Sequence, residues 1–291
     1  MKLRPFKQID VFTATPYLGN PLAVVLDGSG LSTAEMQNFT NWTNLSEATF
    51  LLPPEHPEAD YKVRIFCPGR ELPFAGHPTL GSCHAWLQAG GQPKGALGDF
   101  IVQECGVGLV KLKRDGKRLA FAAPPLITSG PLDEPDVQLI SRGLGISRND
   151  IIHHAWCHNG PMWRGVMLAS AEQVLALKPD GAILSGLDVG VVGPHGKVGV
   201  VGVKPNGDQC AFEVRAFFHL GGSGVGEDPV TGSLNAGVAQ WLIGAGLAPS
   251  RYVASQGAAM GRAGRVFVEQ NGADIWIGGQ SVTCIEGNVS L

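Results

Sequence analysis

Glu47, His77 and an acidic turn around Asp228 are the residues of this 291-residue chain whose types and surroundings best suit acid–base chemistry. Glu47 lies in the stretch NLSEATFLL, directly before an apolar run that predicts a strand. Desolvation at such a position raises a carboxyl pKa toward the range in which the group can both take and return a proton. A surface glutamate or a helix-cap partner has the same local pattern, so Glu47 is a candidate general acid/base.

The acidic turn lies in GVGEDPVTGSLN, and its polar or small residues are Glu227, Asp228, Thr231, Gly232 and Ser233. Asp-Pro followed by Thr-Gly-Ser is also typical of an ordinary turn and helix N-cap. The functional interpretation gains weight from a second copy of the pattern, in which His77 stands where this turn has Ser233.

Two sixteen-residue segments of the chain are alike. AGHPTLGSCHAWLQAG at 75–90 aligns with TGSLNAGVAQWLIGAG at 231–246, and the shift of 156 superimposes Gly76 on Gly232 and Gly81 on Gly237. Each segment follows a strand-like run, VRIF or VRAFF, and each predicts a glycine-opened helix that is apolar nearly all round. The similarity predicts a duplication, with two domains that each contain a strand–turn–buried-helix unit.

The amino termini of these two helices are predicted binding elements. The first N–H groups of a helix lack intrahelical partners and carry partial positive charge, so they hold carboxylates well. Two such units placed face to face would direct both helix termini into one crevice. There the glycines would let a ligand approach the backbone, and His77 would add a polar contact.

Hydrophobic periodicity and capping signals predict the elements around these residues. Ser32 and Glu35 form a capping-box pattern for a helix over 32–42. The linker-like segment APPLITSGPLDEP at 123–135 contains the predicted domain boundary. Helices are also predicted at 76–87 and 136–144, and strands at 8–12, 22–25, 48–52, 61–66, 99–103, 107–113, 117–122, 151–155, 162–169, 199–203, 211–217, 265–269 and 273–277.

Composition argues against several classes of protein. The net charge of −3 gives no attraction toward nucleic acid or an anionic membrane, and no signal-peptide core or long apolar run is present. The six cysteines are spread singly, which predicts a reduced, cytoplasmic setting without a disulfide framework. HHAWCH at 153–158 is a weak metal-site pattern without a second ligand group at a suitable spacing, and a strand or loop edge explains it better. Walker A, GxSxG and HExxH motifs are absent from the sequence, so a cofactor-free acid/base enzyme fits best.

Five motifs together resemble the PhzF-like family, which includes the isomerase of phenazine biosynthesis and shares the fold of diaminopimelate epimerase. These motifs are GNPLAVV, SEATFLL, AGHPTLGS, GEDPVTGSLN and GRAGRVFVE, which follow the family's order over nearly the whole chain. The resemblance implies an α+β fold of two pseudo-symmetric domains, each a curled, mostly antiparallel β-sheet around a central α-helix. It places the active site between the domains, which are expected at 1–126 with 278–291, and at 127–277.

The resemblance also implies roles for individual residues. Glu47 falls on the family's general acid/base, and the substrate-binding positions fall on Gly76, His77, Asp228, Gly232 and Ser233. Members of the family are typically cytoplasmic homodimers that use no metal or organic cofactor. Related epimerases carry a cysteine acid and base where this chain has Ala75 and Thr231. Neither a methyl group nor an unactivated hydroxyl abstracts a carbon-bound proton efficiently, so a two-thiol racemisation is excluded.

The favoured hypothesis is an isomerase that uses Glu47 to move a proton between carbons of a small carboxylated metabolite in a biosynthetic process. Two alternatives stay open. One is an epimerase or racemase that pairs Glu47 with Asp228 and inverts a stereocentre. The other is a non-catalytic small-molecule-binding protein that retains the crevice. Substrate identity and pathway are beyond the sequence.

Overall fold

The structure is a computed structural model that describes residues 2–95, 100–196, 210–219 and 224–291. The chain divides into two compact units. Unit 1 comprises Met1–Ala122 and Gly278–Leu291, and unit 2 comprises Ala123–Ile277. The sequence analysis placed this boundary after residue 126. The strand predicted at 199–203 lies outside the described residues.

Unit 1 is built from nine strands and two helices within its described residues. They are β1 (Leu3–Val11), β2 (Asn20–Val25), α1 (Thr33–Thr43), β3 (Ala48–Leu52), β4 (Tyr61–Cys67), β5 (Arg70–Leu72), α2 (Gly76–Gln88), β6 (Phe100–Cys105), β7 (Gly108–Asp115), β8 (Arg118–Ala122) and the carboxy-terminal β17 (Ser281–Ser290).

Unit 2 contains the remaining elements, with β16 running across the division between the units. They are α3 (Glu134–Leu144), β9 (His153–Trp156), β10 (Trp163–Met167), α4 (Ala171–Ala176), β11 (Asp188–Pro194), β12 (Phe212–His219), β13 (Val225–Asp228), α5 (Gly232–Gly244), β14 (Arg251–Gln256), β15 (Gly264–Asn271) and β16 (Asp274–Gly279), with 3₁₀ turns at Arg148–Asp150 and Ala258–Met260.

The two units repeat one topology, which confirms the predicted duplication. In unit 1, β1 and β2 form an antiparallel pair, and α1 leads to β3, which runs parallel to β2 and antiparallel to β4. The hairpin partner β5 then leads through α2 to β6, parallel to β4, and to the antiparallel β7. Unit 2 follows the same order, with β9, β10, α4, β11, β12, β13, α5, β14 and β15 in the corresponding places.

Each unit has one central helix that lies against the sheet at very short range. In α2, a Cβ on Gly81 would lie 2.6 Å from Leu22 Cδ2 and 2.9 Å from Val11 Cγ2. In α5, a Cβ on Gly237 would lie 2.6 Å from the carbonyl oxygen of Cys157. Only glycine permits this approach. The glycines that aligned the two sequence segments therefore mark the same contact in both units.

On the face opposite the central helix, each sheet is covered by its outer helices. Apolar side chains pack between the sheet and these helices. In unit 1, α1 packs through an edge-to-face chain of rings, Phe6, Phe39, Phe50 and Phe66, whose neighbouring centroids are 5.7–6.3 Å apart. In unit 2, α3 and α4 pack on β10, β11 and β12 around a buried cluster that includes Val137, Ile140, Val174, Val191 and Phe217. Each sheet therefore lies between its central helix and its outer helices, which confirms the α+β class.

Most of the predicted elements are present, and several were missed. Helix α1 has Ser32 as N-cap and the predicted capping box with Glu35. Burial alternates along β4 as predicted, with Val63 and Ile65 buried and Arg64 partly exposed. Strands β5, β11, β13 and β14 and helix α4 were not predicted, and β17 was expected only from the family resemblance, which assigned residues 278–291 to the first domain. The segment GEDPVTGS was read as a turn, whereas its first residues form β13. Of the five α-helices among the described residues, none combines the length and apolarity needed to cross a lipid bilayer.

Candidate active site

In unit 1 the topology brings Glu47, Asn20 and the start of α2 to one edge of the sheet. Strands β2 and β3 are parallel neighbours, with Ala23 paired to Ala48. Their amino-terminal ends therefore meet at the same edge. Asn20 is the first residue of β2, and Glu47 directly precedes β3. Helix α2 begins nearby at Gly76, with His77 as its second residue.

The His77 ring joins Asn20 to Glu47. Its Nδ1 lies 3.3 Å from the Asn20 side-chain nitrogen, and its Nε2 lies 3.4 Å from a carboxylate oxygen of Glu47. Burial lowers the pKa of His77 from 6.5 to about 3, because the charged ring loses its solvation. His77 is therefore a neutral polar group at pH 7. Of the two residues, only Glu47 remains as a candidate proton carrier.

The two central helices share an N-terminus without a side-chain cap from the N-cap residue. Helix α2 follows Ala75 and helix α5 follows Thr231, and neither of these N-cap residues makes a side-chain hydrogen bond to its helix. The N–H groups of Gly76 and Gly232 therefore have no partner within their own helices. Such groups favour a carboxylate or a developing negative charge.

In unit 2 the side chain of Gln256 holds the turn that carries Asp228 and Thr231. Its oxygen accepts from the Thr231 backbone N–H at 3.0 Å and from the Asn235 side chain at 2.9 Å. Its nitrogen donates to the Asp228 carbonyl at 3.0 Å and to the Thr231 hydroxyl at 2.9 Å. The Thr231 hydroxyl in turn donates to the Asp228 carboxylate at 2.6 Å. This network fixes the carboxylate beside the start of α5.

Ser233 is held on two sides by residues from the β9–β10 hairpin. The Trp163 indole N–H donates to the Ser233 hydroxyl at 3.0 Å. The Asn159 side-chain amide donates to the Ser233 carbonyl at 2.8 Å. Both Trp163 and Asn159 are buried. Ser233 therefore has a fixed position at the second residue of α5, the place that His77 has in α2.

The candidate residues named from the sequence fall into two groups, one in each unit. Glu47, Gly76 and His77 lie together in unit 1, and Asp228, Gly232 and Ser233 lie together in unit 2. Sequence reasoning missed their supporting residues, Asn20, Trp163, Asn159, Asn235 and Gln256. Asn20 lies within GNPLAVV and Asn235 is the last residue of GEDPVTGSLN, so only these two belong to motifs already singled out.

Within the residues that the structure describes, no group of three or more histidine, cysteine, aspartate or glutamate side chains is arranged to hold a metal ion. His153, His154 and Cys157 of the HHAWCH stretch form no such group. The Cys157 side chain is fully buried, and burial raises its pKa to about 12, so it is poorly suited to act as a thiolate ligand.

Comparison with known proteins identifies the family. The model of the PhzC-PhzF family, described as phenazine biosynthesis-like protein, matches residues 9–287. The chain belongs to the PhzF-like family. It is 37% identical to antisense-enhancing sequence 1 of Schizosaccharomyces pombe, with 97% of each chain covered. It is also 37% identical to the trans-2,3-dihydro-3-hydroxyanthranilate isomerase of Pseudomonas chlororaphis over 61% of this chain and 62% of that protein.

The fold of this PhzF-like protein agrees with solved structures of the family. The crystal structure of a Bacillus anthracis PhzF-family protein superimposes with a TM-score of 0.79 at 21% identity, and all of both chains is covered. At that identity the comparison concerns the fold alone. The family match and the similarity to a named isomerase make the chain an enzyme of the isomerase class.

Ala75 and Thr231 occupy the two positions where related epimerases carry cysteines. Ala75 offers only a methyl group. The Thr231 hydroxyl donates to Asp228 and accepts from Gln256, so both of its roles are already occupied. Neither position of this PhzF-like protein provides a group that could take a proton from carbon.

Proposed function

We propose that the protein is a cofactor-independent isomerase that moves a proton between carbon atoms of a small carboxylated metabolite, with Glu47 as the general acid/base. The observation that carries this proposal is the pair formed by Glu47 and the neutral His77. The imidazole approaches the carboxylate at 3.4 Å. A buried ring with a pKa of about 3 cannot supply the proton itself.

The reaction needs one carboxylate and no other proton carrier. Glu47 takes a proton from an acidified C–H bond, and the electron pair of that bond moves into the substrate's conjugated system. Protonated Glu47 then returns the proton to a different carbon, so the substrate is isomerised and Glu47 is regenerated. The double bond shifts, and no atom is gained or lost. A stabilised carbanion-like intermediate must stay in place between the two steps.

The helix termini are proposed as the substrate-binding groups. The backbone N–H groups at Gly76 and Gly232 would hold the substrate carboxylate and the charge that develops on it. His77, Asp228 and Ser233 would orient the rest of the molecule. We propose that the groups of both units act on one substrate, as the resemblance implies. Support comes from the duplicated arrangement, in which each central helix has a glycine and a fixed polar side chain at its start.

The epimerase alternative gains less support from the structure. It requires Asp228 as a second acid/base opposite Glu47. In the turn before α5, a carboxylate oxygen of Asp228 accepts the Thr231 hydroxyl proton at 2.6 Å. That contact suits a residue that orients a ligand better than one that delivers a proton. Chiral analysis of the product separates the two reactions, because only the epimerase inverts a stereocentre without moving a double bond.

The decisive experiment is solvent deuterium incorporation with a Glu47→Gln variant. Purified protein in D₂O is incubated with trans-2,3-dihydro-3-hydroxyanthranilate and with a pool of other small amino and carboxylic acids, and products are read by mass spectrometry. We expect the wild type to form the isomerised product, with a mass gain of one unit in the molecules whose abstracted proton exchanges with D₂O while it is on Glu47. Loss of the general base should lower the rate by about 10²–10⁴-fold. Glu58→Gln, which alters an exposed glutamate, is the matched control and should retain wild-type activity.

Two results would contradict the proposal. Retention of more than about a tenth of the activity by Glu47→Gln would remove Glu47 from its role. Ligand binding without exchange in any compound would favour the non-catalytic alternative. Homodimerisation and a cytoplasmic location stay predictions that derive from the family resemblance.

A further inference from the structure

The side chains at the second position of the two central helices are each contacted from an equivalent strand. His77 in α2 meets Asn20, the first residue of β2. Ser233 in α5 meets Trp163, the first residue of β10. Strands β2 and β10 occupy corresponding places in the duplicated topology. All four residues are at least nine-tenths buried.

Both contacting groups can act only as hydrogen-bond donors. An amide NH₂ and an indole N–H have no lone pair to offer. The acceptors must therefore be Nδ1 of His77, at 3.3 Å, and the Ser233 hydroxyl oxygen, at 3.0 Å. One acceptor is an imidazole nitrogen and the other is a hydroxyl oxygen. In both units, however, the side chain on the central helix accepts the hydrogen bond and the side chain on the strand donates it.

In unit 1 this polarity determines the histidine tautomer. A neutral imidazole carries one proton, and Nδ1 must be bare to accept from Asn20. The proton therefore resides on Nε2, which lies 3.4 Å from the Glu47 carboxylate. With the Asn20 amide turned round, the proton would have to be on Nδ1, and the Nε2 lone pair would face the carboxylate. Asn20 and Glu47 thus select the same tautomer.

In unit 2 the same polarity frees the Ser233 proton. The hydroxyl has one donor and two acceptor sites, and the Trp163 N–H uses one acceptor site. The hydroxyl proton remains available to a ligand. The donation from Asn159 to the Ser233 carbonyl holds the backbone of this residue in place. Ser233 therefore presents a donor next to the N–H groups at the start of α5 that have no partner within that helix.

We infer that Asn20 and Trp163 are positioning residues, which fix His77 and Ser233 as hydrogen-bond donors of the active site. The inference rests on the proposed function, because these two hydrogen-bond donors would act on Glu47 and on its substrate. In unit 1 the protonated Nε2 of His77 lies 3.4 Å from the Glu47 carboxylate, and although the two atoms form no hydrogen bond in the resting structure, the N–H is placed to act as a donor without giving up its proton. In unit 2 the Ser233 O–H adds to the groups that hold a carboxylate. Neither positioning residue needs to touch the substrate.

Nuclear magnetic resonance of the resting protein tests the assignment directly. Long-range ¹H–¹⁵N spectra distinguish a protonated imidazole nitrogen from a bare one, and His77→Gln identifies the His77 signals among the eight histidines. We expect the proton on Nε2 in the wild type. In Asn20→Asp, which has nearly the same shape but an acceptor in place of the donor, the proton should move to Nδ1. A wild-type ring with its proton on Nδ1, or an unchanged tautomer in Asn20→Asp, would overturn the inference.

The contact between Trp163 and Ser233 can be followed through the indole N–H resonance of Trp163. Ser233→Ala should shift the indole N–H signal that disappears in Trp163→Phe, and leave the other five tryptophan signals near their wild-type positions. An indole signal that does not respond would remove Trp163 from the proposal. If Asn20→Asp does not fold, the tautomer of His77 in the wild type is by itself the test of the inference for unit 1.

Exchange kinetics separate a positioning role from a merely structural one. In the deuterium assay we expect Asn20→Asp to lower the rate by at least tenfold with an intact circular-dichroism spectrum. Trp163→Phe should lower it by roughly 2- to 10-fold, the range that one hydrogen bond provides. Unchanged rates in both variants would contradict the inference. Failure of the proposed function would look different, since the wild type itself would show no exchange while the tautomer stayed as expected.

Discussion

At the scale of single residues, chemistry depends on how buried polar groups are paired. His77 illustrates this, because its burial makes it neutral while its two ring nitrogens face opposite kinds of partner. A histidine next to a carboxylate suggests a proton relay at first sight. The lowered pKa instead supports the proposed division of labour, in which Glu47 exchanges protons and the neutral His77 is placed to act as a hydrogen-bond donor.

The lowered pKa of His77 predicts acid sensitivity of folding. The unfolded chain takes up a proton on this ring below pH 6.5, whereas the folded protein does so only near pH 3. Between these values the unfolded state binds more protons, so stability falls as pH falls. The wild type should therefore lose about 2 kcal/mol more than His77→Gln between pH 7 and pH 5.

Urea unfolding at both pH values measures this difference, with His153→Gln as a control that removes an exposed histidine. Equal losses in the wild type and His77→Gln would show that the neighbouring Glu47 carboxylate stabilises the charged ring enough to cancel the effect of burial.

The sequence predicts which residues of the candidate site would act, but not the ones that hold them. Glu47, His77 and Asp228 stand in distinctive local patterns. Asn20, Trp163 and Gln256 act on partners that are 57, 70 and 25 residues away in the chain. No local pattern encodes such a pairing, because it exists only once the strands have been aligned. Buried polar groups are satisfied by tertiary contacts that sequence spacing does not reveal.

At the scale of elements, the strength of the local signal decided what could be predicted. Helix α1 has a complete capping box, and β4 alternates between its two faces. Strand β11, with the sequence DVGVVGP, is buried along nearly all its length and so shows no alternation. Helix α4 has only six residues, too few for a helical period. Strand β17 contains glutamate, glycine and asparagine, which are depleted in strands.

The close approach of the central helices predicts graded costs for adding a methyl group. Gly237→Ala would set its Cβ 2.6 Å from the Cys157 carbonyl oxygen, a backbone atom that cannot rotate away. We expect a loss of about 1–3 kcal/mol. Gly81→Ala should cost less, since its nearest atom is the end of the Leu22 side chain. Gly244→Ala, with open space around it, should leave stability unchanged or raise it by up to about 1 kcal/mol.

Thermal unfolding of the three variants ranks these costs. Their order is the informative result, because all three add the same methyl group to a helix of one protein. A Gly237→Ala protein as stable as Gly244→Ala would mean that α5 can move away from the Cys157 segment, and that the glycine is not required by packing.

At the scale of the whole molecule, the chain is a duplication with one asymmetry that affects folding. Its last strand, β17, belongs to unit 1 and pairs with β1 from Leu3 opposite Ser290 to Val11 opposite Ser281. Strand β1 thus lies between β2 and β17. The sheet of unit 1 is therefore complete only when β17 has been made.

Removal of residues 281–291 should therefore unfold unit 1 selectively. The deletion would leave one edge of β1 without its hydrogen bonds. It would also take away Glu286, whose carboxylate lies 3.0 Å from the otherwise buried Lys7 ammonium group, and Thr283, whose hydroxyl donates to Gln88 at 2.6 Å. Lys7 would keep its hydrogen bond to Gln88 at 3.2 Å but would lose its anionic partner, which weakens this edge of β1 further. Hydrogen exchange should become fast in β1–β4 and remain slow in β14 and β15.

The matched control for the deletion is Ile285→Thr, which changes an exposed side chain of β17 and keeps the strand. It should preserve the wild-type exchange pattern in both units. If the deletion leaves β1–β4 protected, unit 1 is stable without its last strand, and residues 281–291 serve some purpose other than completing the sheet. If both units lose protection together, the two halves fold as one cooperative block, and the duplication no longer marks separate folding units.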